Sequence, residues 1–186
     1  MRVVTMQIYD SIIDHIIQAE KGYVDHKDDR GGRTNWGITE VVARANGYKG
    51  HMKDMPESFA REIYVKRYIK DPKFDLIIAV DAKIGLELVD TGVNMGPSVP
   101  AVWFQRLLNV FNAKGSKYPD LFVDGKIGPA SIDAFKKFLA WRGKEGSETF
   151  LKALNCLQGA RYIEIAEKNV NQESFVYGWI KERVSL

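Results

Sequence analysis

Few of the residues that cross-link a chain or bind metals occur in this sequence. Cys156 is the single cysteine among 186 residues, so no disulfide can form within the chain. The histidines, His15, His26 and His51, are scattered, and no cluster of cysteine, histidine and aspartate has the spacing of metal ligands. We therefore predict neither a metal site nor a cofactor.

Long apolar runs are missing as well. No stretch approaches about 18 uninterrupted apolar residues, so we predict no membrane-spanning helix. Residues 1–10 lack the basic, apolar and small-residue regions of a secretory signal, and we expect synthesis in the cytoplasm without one. Basic residues occur in short groups among acids, without a nucleic-acid-binding motif, so we expect no nucleic-acid partner. The net charge of +3 suits an anionic polymer such as a bacterial wall.

The residues that are present predict a mainly helical, α+β protein. With 45% apolar residues, the chain can bury a full core, as one domain or as two small ones in contact. Apolar spacing, capping residues and prolines predict where the helices begin and end. The predicted helices cover about residues 10–19, 40–45, 56–70, 81–91, 97–111, 129–141 and 148–169, and residues 143–147 are predicted to form an exposed turn.

Residues 20–39 form the segment that carries chemistry. Isoleucines at helical spacing predict a helix that ends at Glu20, where Gly22 can take a left-handed conformation. Residues 23–24 and residues 34–39 have strand-like composition on either side of an acidic, glycine-rich turn, which predicts a small β-hairpin of two strands beside this helix end. Such a hairpin would bring Asp29 and Thr34 toward Glu20 across a cleft.

Bond cleavage between sugars needs one protonated acid and one ionised carboxylate. Glu20 would lie at the negative end of a helix dipole, and partial burial against Tyr23 or Trp36 would act in the same direction. We therefore expect a raised pKa for Glu20, although the ammonium of Lys21 would lower this pKa if it came close. Taken alone, Glu20 could also be a solvated residue paired with Lys21, and Asp29 could simply be a turn former.

The segment closely resembles the phage- and prophage-type N-acetylmuramidases of glycoside hydrolase family 108, some of which carry a "secretion activator" label. Ten residues match the family's hallmark in register: Glu20, Gly22, Tyr23, Asp29, Gly31, Gly32, Thr34, Gly37, Ile38 and Thr39. The resemblance implies a lysozyme-like helical fold with one small β-hairpin beside the active-site cleft. It also implies Glu20, Asp29 and Thr34 as the catalytic residues, and it favours Asp29 over the adjacent Asp28. Lys21 departs from the family, which usually has glycine there.

The second half has its own resemblance. Asn94-Met-Gly96 and the later run Val123-Asp-Gly-Lys-Ile-Gly-Pro-Ala-Ser131 are similar to the helical peptidoglycan-binding domain that follows the catalytic half in this family. We therefore predict a catalytic domain over residues 1–90 and a peptidoglycan-binding domain over residues 91–186, packed closely on the first. In the run, Gly125 and Gly128 are expected to take unusual dihedrals, and we expect the loop to position helices rather than bind sugar.

Five further residues are candidate substrate contacts. The resemblance makes Asp90, Thr91 and Asn94 candidates for hydrogen bonds to sugar hydroxyl and N-acetyl groups, with helix capping as the alternative. Tyr23 and Trp36 could offer aromatic faces to a saccharide, with core packing as the alternative for Trp36.

From these features we predict a muramidase that hydrolyses the β-1,4 bond between N-acetylmuramic acid and N-acetylglucosamine in peptidoglycan. Glu20 would protonate the leaving oxygen, Asp29 would stabilise positive charge or activate water, and Thr34 would orient that water. Displacement by water inverts the anomeric centre and needs carboxylates about 6.5–9.5 Å apart, whereas direct attack by Asp29 needs about 5 Å. Similarity to phage-type lysozymes favours inversion.

Two other functions fit parts of the pattern. A lytic transglycosylase would cleave the same bond with one glutamate, but it has less need of Asp29 and Thr34. A non-catalytic wall-binding or secretion-accessory protein would keep the fold without activity, and Lys21 favours that alternative. In each case bacterial peptidoglycan is the expected partner, the cell wall is the site of action, and we expect a monomer. An endolysin would need a holin for delivery, and a bacterial protein would need an export system.

Overall fold

The computed structural model describes residues 2–20, with side chains from residue 8 onward, residues 22–24 and residues 33–184. The chain divides into two compact units, Met1–Asp71 and Pro72–Leu186. The predicted division between residues 90 and 91 falls inside a helix, Ala82–Met95. Where the two functional domains divide therefore stays a prediction. Among the described residues, no helix combines the length and apolar content needed to cross a bilayer.

The first unit is a set of helices with one small sheet. Its elements are α1 (Arg2–Glu20), β1 (Tyr23–Val24), β2 (Thr34–Asn35), β3 (Ile38–Thr39), α2 (Glu40–Ala45), a 3-10 helix (Met52–Asp54), α3 (Glu57–Val65) and a π-helix (Lys66–Lys70) that continues α3. α1 packs on α3 and buries Ile13 and Ile17. α1 begins at Arg2 rather than near residue 10, because residues 2–9 contain neither glycine nor proline to end the helix.

The sheet has three antiparallel strands in the order β1-β2-β3. Residues 34–39, predicted as one strand, form two strands because Trp36 and Gly37 make a two-residue turn between them. Both turn residues have positive φ, 53° and 71°, which is the geometry of a tight type I′ hairpin. Thr39 then caps α2 by accepting a hydrogen bond from the Val42 amide at 3.4 Å. The predicted class, mainly helical with a small antiparallel β element, is confirmed.

The second unit is helical throughout its regular structure. Its elements are α4 (Phe74–Ile78), α5 (Ala82–Met95), α6 (Ser98–Val110), α7 (Pro129–Lys168), a 3-10 helix (Val170–Gln172) and α8 (Glu173–Arg183). Pro129 occupies the first turn of α7 as predicted. The sequence analysis missed α4 and α8. The exposed turn predicted over residues 143–147 is wrong: Gly143, at φ 60°, breaks α7, but helical backbone resumes at once and Gly146 is buried in it.

Phenylalanines form the core of this second unit. Phe104 and Phe150 lie at its centre, 5.4 Å apart between ring centroids, and Phe135 and Phe138 pack around Phe150 at 5.7 and 5.4 Å. These rings come from α6 and both segments of α7, so their packing holds those helices together.

Candidate functional site

The first candidate residue, Glu20, is the last residue of α1. Gly22 follows with φ 122°, a conformation that favours glycine, and leads the chain into β1. The helix end is therefore where the sequence predicts it. The Glu20 side chain is exposed, so the predicted burial against Tyr23 or Trp36 is not found.

The turn between β2 and β3 lies directly against Glu20. A Cβ atom placed on Gly37 would come within 2.8 Å of the Glu20 Cβ, 2.9 Å of Glu20 Oε2 and 2.5 Å of the Tyr64 hydroxyl. No side chain fits in that space, and the positive φ of Gly37 also disfavours one. The Glu20 carboxylate is thus set against backbone, at a distance that only glycine allows.

Tyr64, on α3, contacts the same turn. Its hydroxyl donates a hydrogen bond to the Trp36 carbonyl at 2.9 Å, and its side chain is 6% exposed. Burial and then the negative charge of Glu20 raise the pKa of Tyr64 to about 12, so the hydroxyl keeps its proton. The Tyr64 hydroxyl and Glu20 Oε2 lie 2.5 and 2.9 Å from the same Cβ position on Gly37, so the two oxygens are close to each other.

Two more hydrogen bonds tie the sheet to the segment that precedes α3. The Trp36 indole Nε1 donates to the Met55 carbonyl at 3.0 Å. The buried Asn35 side chain donates to the Met52 carbonyl at 2.8 Å. Three hydrogen bonds therefore hold the Trp36–Gly37 turn: one to the Trp36 carbonyl, one from the Trp36 indole and one from Asn35, the residue before the turn. Trp36 itself is half-buried.

The strand register separates two of the candidate residues. Thr34 lies opposite Val24 and Thr39, whereas Tyr23 lies opposite Asn35. Because successive residues of a strand point to opposite faces, Thr34 and Tyr23 lie on different faces of the sheet. The Tyr23 ring centroid is 6.3 Å from that of His51. Asp29, the predicted second carboxylate, lies outside the described residues, as do Lys21, Asp28, Gly31 and Gly32.

Asp90 and Asn94 are both on α5, in the second unit. Asp90 Oδ1 accepts a hydrogen bond from Arg183 Nη1 of α8 at 2.8 Å. Asn94 is exposed, and its side chain donates to the Asp90 carbonyl within the same helix at 2.9 Å. The ion pair could not be foreseen, because the sequence analysis did not predict α8.

Glu87, one turn before Asp90, is a partly buried acid that the sequence analysis missed. Burial, and then the charge of Asp90, raises the pKa of Glu87 to about 7. Thr91 Oγ1 donates to Glu87 Oε1 at 3.3 Å and accepts from Gln158 Nε2 at 3.0 Å. The available signal was a glutamate between two leucines, Leu86 and Leu88.

The loop before α7 has the structural role that the sequence predicts. The buried Gln105 side chain accepts from the Asp124 and Gly125 amides at 3.0 and 2.8 Å and donates to Asp124 Oδ1 at 2.9 Å. The donation from Gln105 is the main cause that lowers the pKa of Asp124. Gly125 has φ 71° as expected. The unusual dihedral predicted for Gly128 is wrong, since its φ of −136° is ordinary extended backbone.

Metal ligation finds no support in the part of the chain that the structure describes, where no three histidine, cysteine or acidic side chains group to hold an ion. Among the described residues of the first unit, the candidate reactive group is the exposed carboxyl of Glu20, which lies against the Trp36–Gly37 turn.

Comparison with protein families assigns both halves of the chain. Residues 13–96 match the family described as Glycosyl hydrolase 108, and residues 99–184 match one described as Predicted Peptidoglycan domain. Residues 13–96 are thus similar to glycoside hydrolase family 108, and residues 99–184 are similar to a peptidoglycan domain. A glycosyl hydrolase domain followed by a peptidoglycan domain supports a peptidoglycan hydrolase, which acts on the cell wall.

A solved structure shares the fold of this chain. The structure of Brucella abortus SagA is 21% identical, with a TM-score of 0.53, and the match covers 94% of this chain and 96% of SagA. No curated protein matches the chain.

Substitution of Gly37 tests whether the turn positions Glu20. Gly37→Ala should strain a positive φ and also push on Glu20 and Tyr64, so it should cost more than the 1–2 kcal/mol typical of left-handed backbone alone and should lower hydrolysis of peptidoglycan. Gly47→Ala is the matched control, because Gly47 has φ 91° with nothing within 4 Å of its Cβ position. Denaturant unfolding and dye release from labelled walls measure both variants. Equal activity of the two would contradict the role of the turn.

The raised pKa of Glu87 predicts a pH dependence of stability. Between its ordinary pKa of 4.5 and the folded value of about 7, the folded state holds a proton that the unfolded state has lost. The free energy of unfolding should therefore fall as pH rises through this window, by up to about 3 kcal/mol. Glu87→Gln should remove this slope, while the exposed Glu167→Gln should keep it. Urea unfolding at several pH values measures the slope, and a slope that persists in Glu87→Gln would disprove the assignment.

Proposed function

We propose that this chain is an N-acetylmuramidase that hydrolyses the β-1,4 bond between N-acetylmuramic acid and N-acetylglucosamine. The observation that carries the proposal is the placement of Glu20, an exposed carboxyl group at the end of α1 and in contact with the Trp36–Gly37 turn. A glycosidic oxygen can reach an exposed carboxyl group. The rigid turn behind it limits the positions that the carboxyl can take, which is what a general acid requires.

In this mechanism Glu20 donates its proton to the leaving glycosidic oxygen as the bond to the anomeric carbon breaks. Asp29 remains ionised and either stabilises the positive charge on the sugar ring or activates a water molecule. Thr34 orients that water, which adds to the anomeric carbon and leaves its proton with the carboxylate. Similarity to phage-type lysozymes favours inversion, which needs carboxylates about 6.5–9.5 Å apart.

Tyr64 acts in this proposal as a positioning residue. Its hydroxyl keeps its proton because its pKa is about 12, so it remains a donor to the Trp36 carbonyl across the working pH range. The hydrogen bond holds the turn, and the turn limits the movement of Glu20. Tyr64 itself does not transfer a proton to the substrate.

The candidate substrate contacts are judged by how exposed each side chain is and by whether it already has a hydrogen-bond or ion-pair partner. Trp36 keeps a partly exposed indole whose nitrogen is bonded to Met55, which suits an aromatic face for a sugar ring. Tyr23, which is half-buried in β1, is the second aromatic candidate. Between Asp90 and Asn94 on α5, Asn94 is better suited to an N-acetyl group, because the Asp90 carboxylate is paired with Arg183.

The biological setting remains part of the proposal. We propose that the protein acts at the cell wall as a monomer, in the manner of an endolysin or prophage enzyme. A holin or an export system would deliver it. The functional division into residues 1–90 for catalysis and 91–186 for wall binding belongs to the same proposal.

Digestion of purified peptidoglycan tests the function. The wild type should release fragments whose muramic acid ends can be reduced with borohydride, as read by mass spectrometry, and Glu20→Gln should release none. Glu62→Gln is a control that removes an exposed glutamate from α3 and should behave like the wild type. Anhydro ends would instead indicate a lytic transglycosylase. Wall binding without soluble products from the wild type would indicate a non-catalytic protein.

Tyr64→Phe tests the positioning role. The variant loses one hydrogen bond to a carbonyl and should lose about 1 kcal/mol of stability, with a lower kcat and little change in KM. Tyr118→Phe is a matched control, because the Tyr118 hydroxyl donates to the Leu108 carbonyl at 2.9 Å, is equally buried and has a pKa raised to about 12. It should lose similar stability in the second unit and keep its kcat. Equal kcat values for both variants would argue against the role of Tyr64.

A further inference from the structure

The second unit contains an open groove between α6 and the later segment of α7. The groove has a volume of about 470 Å³, within the range of roughly 300–1,000 Å³ common for ligand sites. Its floor is apolar, and its rim carries two arginines. The floor residues that matter here are Val102 and Trp103 on α6 and Leu157 and Ala160 on α7.

The rim of this groove carries more positive than negative charge, with Arg106 and Arg161 against Glu164. Arg161 Nη1 is paired with Glu164 Oε2 at 2.9 Å, and both residues line the groove. Arg106 is exposed and has neither a hydrogen bond nor an ion pair to any residue that the structure describes. A guanidinium that has no partner among the described residues, at the edge of an apolar groove, favours a ligand with a carboxylate, which it can bind through two parallel hydrogen bonds.

The loop that precedes α7 supports one side of this groove. A Cβ on Gly125 would lie 3.2 Å from Val102 Cγ2 and 3.4 Å from the Ser98 carbonyl, and both residues line the groove. Gln105 holds this loop through hydrogen bonds at 2.8–3.1 Å, next in sequence to Arg106. The loop therefore keeps the α6 side of the groove rigid.

We propose that this groove binds the stem peptide of peptidoglycan, with Arg106 as the contact to a stem carboxylate. The inference rests on the proposed function, in that peptidoglycan is the polymer recognised. A stem peptide combines carboxylates with small apolar side chains such as those of alanine, which match the rim and the floor. A bare glycan fits less well, because sugars stack on exposed aromatic faces and Trp103 is only 8% exposed.

The test measures binding to the full chain carrying Glu20→Gln, so that cleavage cannot remove the probe. The probe is a soluble disaccharide-tetrapeptide, compared with the same disaccharide without peptide and with the tetrapeptide form whose carboxylates are amidated. In the Glu20→Gln background, the further substitution Arg106→Gln should weaken binding of the disaccharide-tetrapeptide roughly tenfold. The same substitution should leave binding of the peptide-free disaccharide unchanged. Added Lys152→Gln, which removes an equal charge from α7 at a residue that does not line the groove, should change neither.

Amide chemical shifts in NMR spectra locate the contact. With the first probe, shifts around Arg106 and Ala160 would support the groove. Binding that is indifferent to Arg106→Gln would overturn the inference, as would equal binding of the amidated probe. Competition by inorganic phosphate at the probe's own concentration would also overturn it, since that would mark a general anion site.

Hydrolysis, measured separately with Glu20 intact, distinguishes this inference from the proposed function. Cleavage together with binding that is indifferent to Arg106→Gln would disprove the groove and leave the muramidase. Binding that depends on Arg106 without any cleavage would support the groove and disprove the muramidase.

Discussion

The hydrogen bond from the buried Tyr64 hydroxyl to the Trp36 carbonyl is the interaction on which the candidate site depends. It holds a two-residue turn against the end of α1, where the absence of a side chain at Gly37 lets the turn touch Glu20. The same turn is held by its indole and by Asn35. An exposed carboxyl group thereby gains a rigid support without being buried, which keeps it within reach of a long polymer.

The second unit uses buried amides in a similar way. Gln105 and Asn109 lie on α6 and Asn112 follows its end, and each side chain forms a hydrogen bond with the irregular segment that leads to α7. These side chains satisfy backbone groups that no regular element pairs, so a long loop can stay ordered. The loop in turn supports the α6 side of the groove beside Arg106.

Local chemistry made several features predictable. Gly22 ends α1, Thr39 caps α2 and Pro129 opens α7, because each depends on one residue's own backbone preference or side chain. The geometry of the turn between β2 and β3 was harder to predict from the sequence. Trp36 carries a positive φ that its residue type disfavours, so composition suggested a continuous strand where the chain reverses. α8 was missed although Val176, Trp179 and Ile180 have helical spacing. The partial burial of Glu87 depends on how α5 packs against other helices.

By itself, the sequence determined the helical class, the C-terminal end of α1 and the starts of α2 and α7, because these follow from apolar spacing and from single residues such as Gly22, Thr39 and Pro129. The sequence carries the resemblance to family 108 as well, in residues that match in register. It also singled out Glu20. Tertiary structure alone decided what surrounds that carboxyl group. Tyr64 is 44 residues away in sequence, and it reaches the turn only because α1 and α3 pack together. The same holds for Asp90 and Arg183, 93 residues apart. Contacts between distant residues depend on how whole helices pack, which no local pattern encodes.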